Sequence, residues 1–255
     1  MTDLLTTELS DRVLTVRFNR PDKKNAMAQV MYTAFAEAMK RADADPEVRV
    51  VLIAGQPDCF SSGNDIVDFL KAPAGDLNSP VGRMMQSLAE CKKIVIAAPC
   101  GVAVGVGVTL LLHCDLVYAG EQTKFSMPFA SLGICPEFAS TYILPRMMGH
   151  QRAVELVLGG TFDSKKAYEY GLVNAVVPNA EAESVARKQA VAIAQMPPNA
   201  VRTTKKLFKQ WRSDEVIKAI PLEADHFVPM LKMPEALEAM NAFMQKRKPD
   251  FSKFT

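Results

Sequence analysis

Short apolar runs alternate with amphipathic segments over the first 120 residues, and this alternation restricts the fold more than any other feature of the chain. Four runs are typical of β-strands: 12–20, 48–55, 93–101 and 114–120. Three segments carry apolar residues at helical spacing: 27–45, 79–93 and 107–114. Strands that alternate with helices predict an α/β fold with largely parallel strand pairing.

Helical patterns dominate the rest of the chain. Segments 149–160 and 163–171 favour helices, the second with Asp163 as its N-cap and Gly171 as its stop. After a short strand at 174–178, almost every residue fits a helical pattern. The Pro pair in "MPPNA" (196–200) is the predicted boundary. We therefore expect an α/β core over residues 1–196 and a helical region over residues 197–255.

Composition excludes several classes of protein. The 255 residues are 49% hydrophobic and 23% charged, and the net charge of +2 is too small to indicate nucleic acid or an anionic membrane as a partner. The first residues do not resemble a signal peptide, the terminal "KFT" is no peroxisomal address, and no apolar run has the length of a membrane span. Five Cys without a CxxC pair favour reduced thiols, so we expect a cytoplasmic protein.

Two glycine-containing turns are candidates for a ligand site. "GVAVGVGVTLLL" (101–112) precedes a helix and lets backbone N–H groups approach a ligand, although tight helix packing explains the glycines equally well. It is no dinucleotide fingerprint, because Leu110 stands where GxGxxG needs Gly. "CFSSGNDI" (59–66) follows a strand and leads into a predicted helix; the alternative is a plain capped turn. Together the two turns suit an oxyanion hole, in which two N–H groups contact one oxygen.

Glu137 is the only charged residue between Lys124 and Arg146. A carboxylate in apolar surroundings is costly unless it is paired or neutralised. Two interpretations remain open on these residues alone. Either the turn after Pro136 brings Glu137 into water, or the side chain lies in a dry pocket and takes part in chemistry.

Other catalytic patterns are missing from the sequence. The three His are scattered, and His113 is predicted to be a packed core side chain. There is no HExxH and no Cys/His cluster, so we expect no metal site, and no GxSxG elbow indicates a serine hydrolase. The basic run 201–212 is most simply the solvated face of a helix.

Several motifs together resemble the crotonase superfamily, also called the enoyl-CoA hydratase/isomerase family. They occur in family order over almost the whole chain: "NRPDKKNAM" (19–27), "CFSSGNDI" (59–66), "CGVAVGVGVTLLLHCDLVYA" (100–119), "FSMPFASLGICPEFASTYILPRMMG" (125–149) and "AYEYGLVNAVVP" (167–178). The resemblance implies a spiral of ββα units with a C-terminal helical trimerisation region, hence a homotrimer or a dimer of trimers. The apolar residues of 226–240 agree with such an interface.

The resemblance also implies the site residues. The oxyanion hole corresponds to the backbone N–H groups of Ser62 and Val106. Contacts to a CoA thioester are implied, largely through backbone, for seven residues: Lys24, Ala26, Ser62, Gly63, Asn64, Asp65 and Val106. A CoA phosphate near the basic run 201–212 is an alternative to its solvated interpretation. No metal and no separate cofactor are implied, because coenzyme A is part of the substrate.

Departures from the family pattern point to the reaction. Hydratases of this family use two glutamates, where this chain has Thr109 and Phe129, and neither side chain serves as a base for water. Glu137 occupies the place of the single base of peroxisomal-type Δ3,Δ2-enoyl-CoA isomerases. The resemblance thus favours a dry pocket and an isomerase. The alternatives are another crotonase reaction (hydration, thioester hydrolysis or decarboxylation) and a non-catalytic acyl-CoA-binding protein.

Overall fold

A six-stranded sheet forms the framework of the computed structural model, which describes residues 2–66, 68 and 77–254. Its strands lie in the order β1 (Leu5–Ser10), β2 (Val13–Phe18), β3 (Val50–Ala54), β4 (Ile94–Ala98), β6 (Leu116–Gly120) and β9 (Ala175–Val177). Only β1 and β2 pair antiparallel; the other neighbours are parallel. A second sheet contains β5 (Val102–Val104), β7 (Lys124–Ser126) and β8 (Thr161–Asp163).

Ten α-helices accompany the strands in the described part of the chain. They are α1 (Gln29–Ala44), α2 (Pro80–Ala89), α3 (Val106–Thr109), α4 (Ser140–Met148), α5 (His150–Leu158), α6 (Ser164–Glu169), α7 (Ala182–Ala194), α8 (Pro198–Gln210), α9 (Ser213–Met230) and α10 (Pro234–Met244). Short 3-10 turns occupy Pro21–Lys23, Leu110–His113, Ala130–Leu132 and Asn179–Glu181.

Both faces of the large sheet are covered, which explains why β3 is apolar at every position. Side chains alternate across a strand, so Val51 and Ile53 join the main core beneath α1 and α2, while Val50 and Leu52 face α7. On α7 the buried residues are alanines spaced at one helical turn, which lets the helix lie close to the sheet: Ala182, Ala186, Ala190 and Ala194.

The predicted α/β fold is confirmed, and the strands and helices read from the sequence are present wherever the structure describes their residues. Asp163 caps α6 by accepting from the Lys166 N–H at 2.9 Å. Four strands were not predicted: β1, β5, β7 and β8. For β1 the turn into β2 uses Asp11 and Arg12, both with positive φ, rather than the Asn-Gly that marks such turns in a sequence. The other three have only three residues each.

The basic run 201–212 differs from its simple prediction. Helix α8 is largely exposed, but Lys205 is only 4% exposed, and its ammonium group contacts the Asp115 carboxylate at 2.6 Å and the Lys93 carbonyl at 2.5 Å. The solvated interpretation is therefore wrong for Lys205. This lysine joins the helical region to the loop before β6.

The apolar segment 226–240 meets its expectation only in part. Phe227, Leu231 and Met240 are buried within the chain itself, whereas Met233 and Leu237 are 43% and 46% exposed. Larger exposed side chains lie on α8 and at its end, where Phe208 and Trp211 are 78% and 84% exposed. The division of the chain at residue 196 stays a prediction.

The helix predicted after 59–66 falls largely on residue 67 and residues 69–76, which lie outside the described residues. Within the described residues, no helix combines the length and apolar character that a membrane crossing requires. All five Cys are free thiols.

Candidate active site

The two glycine-containing turns lie directly against each other. A Cβ at Gly63, where φ is +92°, would stand 3.0 Å from the Val104 carbonyl oxygen. A Cβ at Gly107 would stand 3.0 Å from the Ser61 carbonyl oxygen. A side chain at either position would crowd the opposite backbone, and at Gly63 the positive φ would strain it further. This close approach confirms the prediction that the two turns lie together.

The backbone N–H groups of the turns have different uses. The Ser62 N–H donates to the Lys24 carbonyl at 2.9 Å. Asn64 forms a parallel β-bridge with Met27, but the hydrogen bonds of this bridge join Met27 to the residues on either side of Asn64. The N–H of Asn64 therefore points away from Met27. In the part of the chain that the structure describes, the N–H groups of Asn64 and Val106 donate to no protein acceptor. Ser62 is thus engaged within the chain, which corrects its assignment as the first donor.

A cavity of about 330 Å³ opens beside these turns. Asn64, Val106 and Glu137 line it, whereas Ser62 does not. Most of its wall is apolar and comes from α2 and α9: Val81, Met85, Ile220, Pro221, Ala224, Phe227 and Val228. Such a wall suits an acyl chain, with a few polar groups at one place to fix its orientation.

Glu137 is buried beside α3. The residue is 7% exposed, and its Oε1 accepts a hydrogen bond from the Thr109 hydroxyl at 2.5 Å. Burial raises the pKa of Glu137 from its ordinary value of 4.5 to about 8; the Thr109 hydrogen bond opposes this shift, and the charge of Glu223 adds to it. The structure therefore places Glu137 in the dry pocket and not on an exposed turn.

Thr109 stands where hydratases of this family have a glutamate, and in this structure it has a different role. Its hydroxyl holds the base, and Thr109 itself is fully buried. Phe129 is also buried but does not line the cavity. Among the carboxylates that line the cavity in the described residues, Glu137 is buried and Asp225 is exposed.

The first predicted CoA-binding loop is held in place by residues that sequence reasoning missed. Arg20 forms an ion pair with Asp65 at 2.8 Å and donates to the Ala26 carbonyl at 2.9 Å. The Asn25 side chain is buried and donates to the carbonyls of Cys59 and Phe60. Both residues stand within the quoted motif 19–27, and their polar character beside an apolar strand was the available signal.

Four of the predicted contacts to a CoA thioester remain: Lys24, Ala26, Gly63 and Asp65. Lys24 is exposed, with a left-handed backbone (φ +49°), and Gly63 accepts from the Met27 N–H at 2.8 Å. Neither of these two lines the cavity, and neither do Ala26 and Asp65. Their role in binding a CoA thioester stays a prediction.

Tyr32 was also missed by sequence reasoning. It lies on α1, lines the cavity, and its hydroxyl donates to the Asn64 side-chain oxygen. Burial raises the pKa of Tyr32, and the charge of Glu137 raises it further. Tyr32 thus holds the Asn64 side chain, while the bridge to Met27 holds its backbone. No sequence signal distinguished it from the other apolar positions of α1.

His113 is a packed histidine, as predicted. It is buried, its Nε2 lies 2.8 Å from the Phe138 carbonyl oxygen, and its ring stacks on Phe138 with centroids 3.9 Å apart. Burial lowers its pKa to about 3. Among the described residues, no group of three His, Cys, Asp or Glu side chains fits a metal ion.

Comparison with known proteins places this site in a family. The sequence profile described as Enoyl-CoA hydratase/isomerase matches residues 8–253. The chain belongs to this family. Its fold is shared by a solved structure of OdaA from Pseudomonas aeruginosa, which is 47% identical, covers 95% of this chain and 99% of its own, and superposes with a TM-score of 0.93.

Relatives of this family member include both isomerases and hydratases. The 1,2-epoxyphenylacetyl-CoA isomerase of Escherichia coli is 30% identical over 99% of either chain. Human Enoyl-CoA delta isomerase 2 is 34% identical over 84% of this chain and 56% of its own length. The 2,3-dehydroadipyl-CoA hydratase of E. coli is 31% identical over 94% of this chain and 95% of its own length. Identity therefore establishes a crotonase-family enzyme of acyl-CoA chemistry without choosing between isomerase and hydratase.

Proposed function

We propose that the protein is a Δ3,Δ2-enoyl-CoA isomerase of the fatty acid β-oxidation type, with Glu137 as its single proton shuttle. The observation that carries the proposal is Glu137 itself, a buried carboxylate that lines an apolar cavity next to two backbone N–H groups with no acceptor among the described residues. One carboxylate is enough for moving a double bond, because the proton that is removed is also the proton that is returned.

The reaction follows from these groups. The Glu137 carboxylate takes a proton from C2 of a 3-enoyl thioester, and the electron pair of that C–H bond shifts to the thioester oxygen, giving a dienolate. The N–H groups of Asn64 and Val106 stabilise the negative oxygen. Protonated Glu137 then gives its proton to C4 as the double bond forms between C2 and C3. Atoms and charge balance, with the product an isomer of the substrate.

The environment of Glu137 suits both halves of this transfer. With a pKa of about 8, roughly one tenth of the side chains are ionised at pH 7, and those are strong bases. The neutral form is a competent acid for the second step. The apolar walls from α2 and α9 exclude the water that would protonate the dienolate at the wrong moment.

Hydration is disfavoured by the same site. A hydratase orients and deprotonates water with two carboxylates, and here the neighbour of Glu137 is the neutral Thr109 hydroxyl. Asp225 lines the cavity but is exposed. We therefore propose that 2-enoyl-CoA is hydrated slowly or not at all.

One assay tests the proposal. Wild-type protein is mixed with a 3-enoyl-CoA, and the conjugated 2-enoyl-CoA is followed by its ultraviolet absorbance. Mass spectrometry should show a product of the same mass as the substrate. Glu137→Gln keeps the size of the side chain, and we expect it to lower turnover by about 10⁴-fold. A Gln variant that keeps more than about a tenth of wild-type turnover removes Glu137 from the mechanism.

Two further arms separate the alternatives. A 2-enoyl-CoA reports hydration, and efficient hydration by the wild type contradicts the argument from Thr109. An aryl epoxide thioester is the second arm, since the E. coli relative that matches the whole chain is a 1,2-epoxyphenylacetyl-CoA isomerase. CoA-ester binding with no turnover in any arm would instead favour the non-catalytic alternative.

We further propose that the enzyme works without a metal or a separate cofactor, in the cytoplasm, as a homotrimer or a dimer of trimers. The free thiols support a reducing compartment. The chemistry above uses only a carboxylate and backbone donors. Unchanged turnover after treatment with a chelator is the expected result; loss that a divalent metal restores contradicts it.

A further inference from the structure

The backbone immediately after Glu137 is strained. Phe138 and Ala139 have φ of +61° and +58°, a left-handed conformation that side chains with a Cβ rarely adopt. Two such residues in succession persist only where their surroundings hold them. Because they follow Glu137 directly, whatever holds them also fixes the direction in which the Glu137 side chain leaves the backbone.

Glu223 holds this segment from another part of the chain. Its Oε2 accepts from the Ala139 N–H at 2.6 Å, and its Oε1 accepts from the Thr141 N–H at 2.9 Å and from the Thr141 hydroxyl. Ala139 is the N-cap of α4 and has no side chain that can cap a helix. The carboxylate of Glu223 therefore takes the place of the missing cap, and its charge is favoured at a helix N-terminus.

The position of Glu223 is unusual for a carboxylate. It lies on α9 and is only 5% exposed, and within the described residues no lysine or arginine pairs with it. Burial raises its pKa, while the three hydrogen bonds from Ala139 and Thr141 lower it. A buried charge of this kind is costly, and among the described residues the hydrogen bonds to its carboxylate come from the segment after Glu137.

We propose that Glu223 is a positioning residue for Glu137, fixing the left-handed Phe138–Ala139 pair so that the Glu137 carboxylate is held at Thr109 and at the cavity. This proposal rests on the proposed function of Glu137 as the base. His113 supports the same pair from the other side, through its contacts with Phe138. Glu223 itself does not line the cavity, so it acts through Glu137 and not on the substrate.

A second effect of Glu223 gives the proposal a distinctive signature. Its negative charge raises the pKa of Glu137. Among the described residues, the other polar or titratable groups around Glu137 are the Tyr32 hydroxyl from α1, the Thr109 hydroxyl from α3, the exposed Asp225 carboxylate that lines the same cavity from α9, and the nearby Cys135 thiol. Burial raises the pKa of Cys135, and both carboxylates raise it further. His113 stays neutral, since burial lowers its pKa to about 3. Removing the charge of Glu223 therefore lowers the pKa of Glu137.

The test uses Glu223→Gln in the full-length protein. Gln keeps the size of Glu but brings an NH₂ group toward backbone donors, so at least one hydrogen bond is lost. We expect kcat for the 3-enoyl-CoA to fall by about 10²-fold, the cost of a small misplacement, with KM changed less than about twofold. The acid limb of the kcat–pH profile should also move to lower pH, which a loss of folded protein alone does not cause.

The matched control is Glu215→Gln, which removes an exposed carboxylate from the same helix. We expect its kcat and its pH profile to equal those of the wild type. A Glu223→Gln protein with wild-type kcat and an unmoved acid limb overturns the proposal. If Glu223→Gln does not fold, Thr141→Val removes only the hydroxyl that contacts Glu223; we expect a smaller fall in kcat, and wild-type kcat overturns the proposal.

A structural arm keeps this inference separate from the proposed function. If the wild type isomerises no substrate, the proposed function fails, but Glu223 is still testable by crystal structures of the wild type and Glu223→Gln. We expect Phe138 and Ala139 to leave the left-handed region in the variant and the Glu137 carboxylate to shift within the cavity, with the Thr109 hydroxyl still donating to it. An unchanged backbone together with an unchanged carboxylate position contradicts a positioning role, whatever the reaction is.

Discussion

Glu137→Gln has a consequence for stability that is independent of substrate. In the folded protein the pKa of Glu137 is raised from 4.5 to about 8, chiefly by burial. The folded state therefore binds this proton more tightly than the unfolded chain. Stability from this proton is complete below about pH 4.5 and is lost as the pH rises through about 8. A neutral Gln side chain does not titrate, so the variant should escape this loss.

The size of the effect follows from the two pKa values. Each pH unit between them corresponds to about 1.4 kcal/mol, so the difference reaches about 5 kcal/mol above pH 8, an upper bound set by the pKa of the buried group. Relative to the wild type, the free energy of unfolding of Glu137→Gln should rise along this window and be flat on either side of it. At about pH 4 the two proteins should differ only by the small cost of replacing the group.

Urea denaturation of both proteins at a series of pH values between about 4 and 9 measures this difference. Subtracting the two curves of unfolding free energy against pH removes the contributions of all other titrating groups. Equal protein concentrations keep any contribution from subunit association the same. The exposed Glu215→Gln is again the control, with little expected change. A pH-independent difference between Glu137→Gln and wild type, or one that falls as the pH rises, refutes the buried-base argument.

Three other predictions address the neighbours of the site and the assembly. Thr109→Val removes the hydrogen bond that lowers the pKa of Glu137, so the acid limb of the kcat–pH profile should move to higher pH, opposite to the shift expected for Glu223→Gln. Lys205→Met leaves the Asp115 carboxylate without its ammonium partner, and we expect a loss of about 3 kcal/mol in urea denaturation; an unchanged midpoint contradicts this. We propose that the face of α8 with Trp211, 84% exposed, is covered in a trimer; sedimentation at micromolar concentration should give a trimer or hexamer mass, and a monomer contradicts it.

Local signals explain what the sequence predicted correctly. The apolar run of β3 and the helical spacing of α1 are properties of neighbouring residues, and the structure keeps both. The two glycine turns were recognisable because close approach of backbones needs Gly63 and Gly107. Glu137 stood out because no other charge occurs near it in the chain. These features depend only on residues that lie close together in the sequence.

The assignment of the oxyanion donor shows where this approach ends. Ser62 and Asn64 are two residues apart in the same turn, and both N–H groups are plausible donors in the sequence. The choice between them depends on the Lys24 carbonyl and on the bridge to Met27, which are contacts made on folding. A motif locates such a turn, but hydrogen bonds to a distant loop decide which of its N–H groups is left for a ligand.

The family resemblance predicts the helical region after residue 196 as an assembly element, and its largest effect on the site is different. Helix α9 supplies much of the cavity wall and, through Glu223, the acceptor for the backbone after Glu137. Glu223 is 84 residues from Ala139 in sequence, so no spacing rule connects them. Its place within an otherwise ordinary amphipathic helix gave no signal. Glu137 and the group that holds it therefore come from opposite sides of the boundary that the sequence predicts at residue 196, and the geometry around Glu137 depends on how these two sides pack.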